Sequence, residues 1–245
     1  MYAVHLRWGR EGIPVEWSAG RRTAVVTGVL FLVTEVAAIA GMLLYGPVLD
    51  GAAYAAGRGA DGRVAAGALC EMVLLLAVVG TGITLYPVLR RHQEVVALAY
   101  VCGRLLEAAV IAVGIVSLLA VVTLRKDAGG AAADVAQALV AVHDWTFLLG
   151  PNVVLGANSL ALACLMYRSR LVPRAIAVLG LAGGSLICAS AVAVLFGLYP
   201  QVSTAGSLAA LPVFAWEVTL AIRLIVRGFD ASSARVAAVG RPALG

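Results

Sequence analysis

The sequence is poor in charge. Only 13% of its 245 residues are Asp, Glu, Lys or Arg, about half the share typical of a soluble domain. Hydrophobic residues make up 62%, and the mean hydropathy is +0.98. A soluble fold of this length has too few polar side chains to cover so much apolar surface, so the bilayer is the expected solvent for most of the chain. Lysine is nearly missing. Lys126 is the one lysine among 18 basic residues, and with the abundant Ala and Gly this is the bias of a GC-rich bacterial genome. Cysteine is sparse and scattered. Cys70, Cys102, Cys164 and Cys188 each fall in an apolar segment, with no C-x-x-C, so neither a disulfide framework nor a zinc site is expected.

Catalytic motifs are lacking too. There is no G-x-S-x-G, H-E-x-x-H or G-x-x-x-x-G-K-[ST]. His143 is the one histidine inside an apolar segment, which argues against a two-haem bundle, and no pair of Glu-x-x-His motifs is present to bridge two metals. The sequence therefore indicates no cofactor, no metal and no enzyme class. The net charge of +5 reads as membrane anchoring and not as nucleic-acid binding, because the arginines gather at the ends of apolar runs.

Those runs define the fold class: all-α, a polytopic transmembrane bundle of six spans. A hydrocarbon core of ~30 Å needs ~20 apolar residues per helix. Six segments qualify, near 23–45, 64–89, 95–123, 135–166, 172–197 and 206–226. The fourth is too long for one straight span and holds Gly150-Pro151. Proline removes a backbone donor and crowds the preceding turn, so a kink is expected there. The transmembrane domain is set at 23–227. It is preceded by a basic, aromatic segment (1–22, with Tyr2, Trp8 and Trp17) and followed by a tail at 228–245. The first span reads as an uncleaved signal anchor. Asp61 is placed to cap the second helix. Gly180, Gly183 and Gly184 mark the fifth helix as a packing element.

Orientation follows from the flanks. Arg7, Arg10, Arg21, Arg22, Arg90, Arg91, Arg168, Arg170, Arg174, Arg223, Arg227, Arg235 and Arg241 fall on one side; Arg58, Arg63, Arg125 and Lys126 fall on the other. Both termini are expected in the cytoplasm, with the chain in the bacterial inner membrane.

The apolar segments are interrupted by charge. Arg104 and Glu107 lie three apart, neighbours on one helical face. Glu35, Glu71, His143, Asp144, Asn152, Asn158 and Glu217 are spread over four further spans. An arginine facing the bilayer centre costs ~2.5–3.5 kcal/mol on insertion scales, so Arg104 and Glu107 must turn inward and neutralise each other. Five intramembrane carboxyls against one arginine and one histidine cannot all be ionised in a low dielectric. Some carry protons, bind a cation, or meet water. The nine residues form a candidate binding seam. At 100° per residue, Asp144, Pro151 and Asn158 share one stripe, and Gly67 and Gly82 flank Glu71. Asn152 and Asn158 are expected to hydrogen-bond between helices.

The stretch YGPVLDGAAYAAGRGADGRVAAGALCEMVLLLAVVGTGITLYPVLRR, then YVCGRLLEAAVIAVGIVSLL, YRSRLVPRAIAVLGLAGG and LPVFAWEVTLAIRLIVRGF resemble a family of bacterial six-helix membrane proteins, domain of unknown function 4386. The resemblance runs from about Arg22 to Phe229. It rests on Glu71, Arg104 with Glu107, Tyr167 to Arg174, and Pro212 with Glu217. It implies a six-helix integral membrane protein and brings no activity with it. The carboxyl excess points first to a small proton- or cation-linked transporter. The alternatives are a membrane-embedded enzyme acting on a lipid, through Glu71, His143 and Asp144, and a structural subunit whose seam fixes helix register. Expected partners are the bilayer, a small-molecule or ionic substrate, and a partner subunit or a second copy of the chain.

Overall fold

The computed structural model describes residues 15–49, 54, 60–128 and 133–230, with side chains described from residue 20 and up to residue 126 in the third span. The elements are α1 (Val15–Leu49), α2 (Asp61–Leu89), α3 (Glu94–Ala128), α4 (Ala133–Leu148), a π-helical stretch (Leu149–Val154), α5 (Leu155–Ser169), α6 (Arg174–Leu195) and α7 (Thr204–Arg227). No strand occurs among the described residues. α4, the π stretch and α5 join into one rod, Ala133–Ser169, so six helices are long and apolar enough to cross a membrane. Their outer faces carry Val36, Leu76, Ile83, Val116 and Val226, all largely exposed and suited to lipid.

The irregularity expected at Gly150-Pro151 takes the form of the π stretch. One extra residue per turn moves the upstream carbonyl away from the proline ring, which relieves the clash without ending the helix. The N-terminal segment divides. Residues 15–22 continue α1, while 1–14 lie outside the described residues, as do 231–245 of the tail.

The helices form a ring in chain order, with α7 returning to pack on α1. Close contact depends on glycine. A Cβ on Gly28 would meet the Ala221 carbonyl oxygen at 2.6 Å, and one on Gly183 would meet the Val213 amide nitrogen at 2.7 Å. The expected packing role of α6 is met at Gly180 as well, where a Cβ would strike the buried Trp216 ring at 2.6 Å. The ring is filled in the half towards the arginine-rich end, where Phe31, Leu85, Tyr100, Met166, Leu220 and Leu224 form a core. A second core, with Tyr45, Val48, Leu74, Ile111 and Val140, lies towards the opposite end. There the ring is incomplete. Among the described residues α4 packs on α3 and the π stretch, with at most marginal contact to α6 or α7.

Helix ends are tied by charge. Arg21 of α1 donates to carbonyls in the last turn of α7, from Nη1 to Leu224 O at 3.0 Å and from Nη2 to Ile225 O at 2.6 Å. It thereby satisfies a helix C-terminus and complements its dipole. Gly228, at φ 73°, ends α7 in a conformation that favours glycine. Arg21→Ala is expected to lower stability by about 1 kcal/mol, read as a lower unfolding temperature in detergent, with Arg21→Lys intermediate.

Asp61 is not the cap of α2. Ala60 occupies that position with no side-chain bond, and Asp61 is the first helical residue. Its carboxylate pairs instead with Arg125, with Lys126 Nζ at 3.9 Å, and accepts from the Tyr54 hydroxyl at 2.5 Å. The Arg125 guanidinium lies 5.2 Å from the Tyr54 ring centroid. The end of α3 supplies cations where a lone helix would offer only its own amides, and the stronger partner wins. Burial, then the bond to Asp61, pushes the Tyr54 phenol from 10.0 up to about 12. This cluster therefore stabilises the fold fully below the ordinary phenol pKa and loses that contribution as pH rises through about 12.

Candidate functional site

Arg104 lies on α3, one turn beyond Tyr100 and one before Glu107. All three face the ring interior, as spacings of three and four require. Arg104 Nη1 donates to Glu107 Oε2 at 2.9 Å and Oε1 at 3.2 Å, and Nη2 reaches Glu217 Oε1 of α7 at 3.4 Å. Nε donates to the Tyr100 hydroxyl at 3.1 Å, and the guanidinium carbon lies 5.4 and 5.5 Å from the ring centroids of Phe31 and Tyr100. Every nitrogen of the guanidinium is engaged. Arg104 and Glu107 are 2% and 3% exposed, so this is a desolvated ion pair whose hydrogen bonds offset its burial.

Asn158 of α5 donates from Nδ2 to Glu107 Oε2 at 3.1 Å. That is the interhelical role expected of it. Gly103 makes room, since a Cβ there would fall on the Asn158 oxygen. Glu35 of α1 closes the group, lining the same cavity as Glu107 and Glu217.

These residues floor a cavity of about 270 Å³. It runs from Leu49 and Val202, near the end opposite the arginines, to Arg104, Glu107 and Glu217 at mid-depth. Of the nine expected seam residues, Glu35, Glu71, Arg104, Glu107, His143, Asp144, Asn152 and Glu217 line it; Asn158 stands behind Glu107. Most of the remaining wall is apolar, including Met42, Leu74, Val78, Ile111 and Phe214. Partway up, Tyr45 donates to Glu71 Oε2 at 3.0 Å and meets the His143 ring edge-on at a centroid distance of 5.7 Å. The His143 ring stacks on Phe147 at 6.4 Å.

The seam is not uniform. His143 is buried, whereas the Asp144 side chain is 65% exposed at the cavity rim. Asp144 and Pro151 both line the cavity and Asn158 is buried against Glu107, as the shared stripe expects, and His143 is more deeply buried than Asp144. Sequence reasoning did not find Tyr100, Phe31 or Tyr45. Tyr100 was within reach, being four residues before Arg104 on one face. Phe31 and Tyr45 join through ring closure and leave no local signal. Among the described residues no three of His, Cys, Asp and Glu are grouped to hold a metal ion.

Six membrane-length apolar helices around an interior cavity with a charged floor define a multi-pass integral membrane protein. The family model described as "Domain of unknown function (DUF4386)" matches residues 26–228, and the chain belongs to that family. No curated protein and no solved structure matches it.

Proposed function

We propose that the protein is a small proton- or cation-linked transporter, lying in a bacterial cytoplasmic membrane with its arginine-rich end and both termini in the cytoplasm. One observation carries this reading: the cavity ends at mid-depth on three carboxyls, Glu35, Glu107 and Glu217, beside the single guanidinium of Arg104, which contacts Glu107 and Glu217. Two of the three carboxyls lack a compensating cation. In a site walled by apolar side chains they require protons or a bound cation, and an exchangeable ion is what a coupled carrier needs. Arg104, Glu107 and Asn158 are the fixed part. Glu35 and Glu217 are the exchanging part, and Glu71, His143, Asp144 and Asn152 line the route to them. The core of Phe31, Leu85 and Leu220 closes the cytoplasmic half of the ring.

The test is ion movement in proteoliposomes that enclose a pH dye and are challenged with Na⁺, K⁺ and a panel of organic amines. At least one cation is expected to drive proton movement, and Glu107→Gln and Glu217→Gln are each expected to reduce it by about tenfold or more while eluting as folded protein. Full activity in both variants, or silence towards every cation, defeats the reading.

The incomplete ring beside α4 favours a second reading, an enzyme acting on a lipid with Glu71, His143 and Asp144 as acid–base groups. It requires that the protein convert a component of a membrane lipid extract and that His143→Ala abolish the product. An unchanged lipid profile removes it.

A further inference from the structure

We infer that the species carried is an amphipathic organic monocation, an amine or quaternary ammonium on an apolar body, which enters sideways from the bilayer and exchanges for a proton at Glu35 and Glu217. The inference rests on the transporter reading and specifies its substrate class.

Three separate observations converge. The first is the state of Arg104. Its three nitrogens are bonded to Tyr100, Glu107 and Glu217, and the rings of Phe31 and Tyr100 lie 5.4 and 5.5 Å from the guanidinium carbon. An anionic substrate would have to displace a carboxylate from a buried pair, so the floor selects against anions and offers only Glu35 and Glu217 to a cation.

The second is the wall. Inorganic cations are held by several oxygens in a compact shell. Above the floor this cavity instead presents Met42, Leu74, Val78, Ile111 and Phe214. Its volume of about 270 Å³ equals that of about nine waters. That is space for an apolar body, and the aromatic side chains of Tyr45 and Phe147 that line the route suit an organic cation.

The third is the way in. Asp144 on α4 and Phe214 on α7 both line the cavity and are both exposed, and they stand on helices that barely touch. The cavity therefore has a lateral cleft at the level of the lipid. A solute that partitions into the bilayer reaches such a cleft without crossing water.

The exchange balances. The cation settles beside Glu35 and Glu217, a proton held on one of these carboxyls leaves through the cavity, and one positive charge replaces another. The other titratable groups that line this cavity are Tyr45 on α1, Glu71 on α2, Arg104 and Glu107 on α3, and His143 and Asp144 on α4.

The test uses the full chain in proteoliposomes with a lumenal pH dye and four probes: phenyltrimethylammonium, its neutral isostere tert-butylbenzene, benzoate, and K⁺. Proton movement is expected with phenyltrimethylammonium alone. It should fall about tenfold or more in Glu35→Gln, and also in Ala38→Phe, which blocks the cavity wall without touching a charge. A response to benzoate or tert-butylbenzene equal to that of the cation overturns the inference, as does a phenyltrimethylammonium response that survives both variants. A response to K⁺ with none to phenyltrimethylammonium overturns the substrate class and leaves the transporter reading standing. Silence towards all four probes and every other cation, from protein that elutes as folded, overturns both.

Discussion

Arg104→Met is expected to lower stability by about 3–5 kcal/mol, the cost of removing one partner from a buried ion pair. The reason is what remains. Glu107 and Glu217 are 3% and 5% exposed and lose the cation that each now contacts. Tyr100 loses the donor to its hydroxyl, and a second phenolic bond does not replace a guanidinium. The triple variant Arg104→Met, Glu107→Gln, Glu217→Gln should recover most of the loss, because neutral groups of similar size need no counter-ion. Equilibrium unfolding in mixed micelles reads both. If the single variant costs no more than an exposed substitution, the floor is hydrated in a way that burial and hydrogen bonding do not describe. If the triple variant is as unstable as the single one, the damage comes from packing and not from charge.

Gly183→Ala is the second large effect. A Cβ there would lie 2.7 Å from the Val213 amide nitrogen and 2.8 Å from the Pro212 carbonyl carbon. Both are backbone atoms, which cannot swing aside as a side chain can. Either α6 and α7 separate or the bundle strains, at an expected cost of about 3 kcal/mol for one methyl group. Gly62 provides the control. Nothing lies within 4 Å of a Cβ at that position, so Gly62→Ala should be neutral or stabilising by about 0.5–1 kcal/mol through helix propensity. Equal effects in the two variants would mean that α6 and α7 are not in close backbone contact.

The six spans were legible because twenty apolar residues in a row have few other uses. Their ends were less so. α1 begins at Val15, ahead of the apolar run, because helical hydrogen bonding continues where lipid contact stops. Arg104 with Glu107 could be read as a pair from spacing alone. Glu217 as the third partner could not, being 113 residues from Arg104 in sequence; its approach depends on α7 returning to α1. In the fourth span His143 and Asp144 could both be placed on the seam, but adjacent residues point 100° apart, and only the folded ring shows His143 inside and Asp144 at the rim. Asp61 was misassigned because its partners, Tyr54 and the end of α3, come together only in the folded chain.

The central claim is that a water-accessible cavity leads from the end opposite the arginines to a charged floor at mid-depth. Thiol accessibility tests it most directly. With Cys70, Cys102, Cys164 and Cys188 replaced by serine, single cysteines are placed at Ala38, on the cavity wall, and at Phe31, 1% exposed in the core beneath the floor. A membrane-impermeant cationic thiosulfonate is then added to right-side-out or inverted vesicles. Ala38→Cys should react quickly, and only from the side opposite the arginine-rich end, while Phe31→Cys stays unmodified from either side. An unreactive Ala38→Cys, or one that reacts only from the arginine-rich side, would contradict the account.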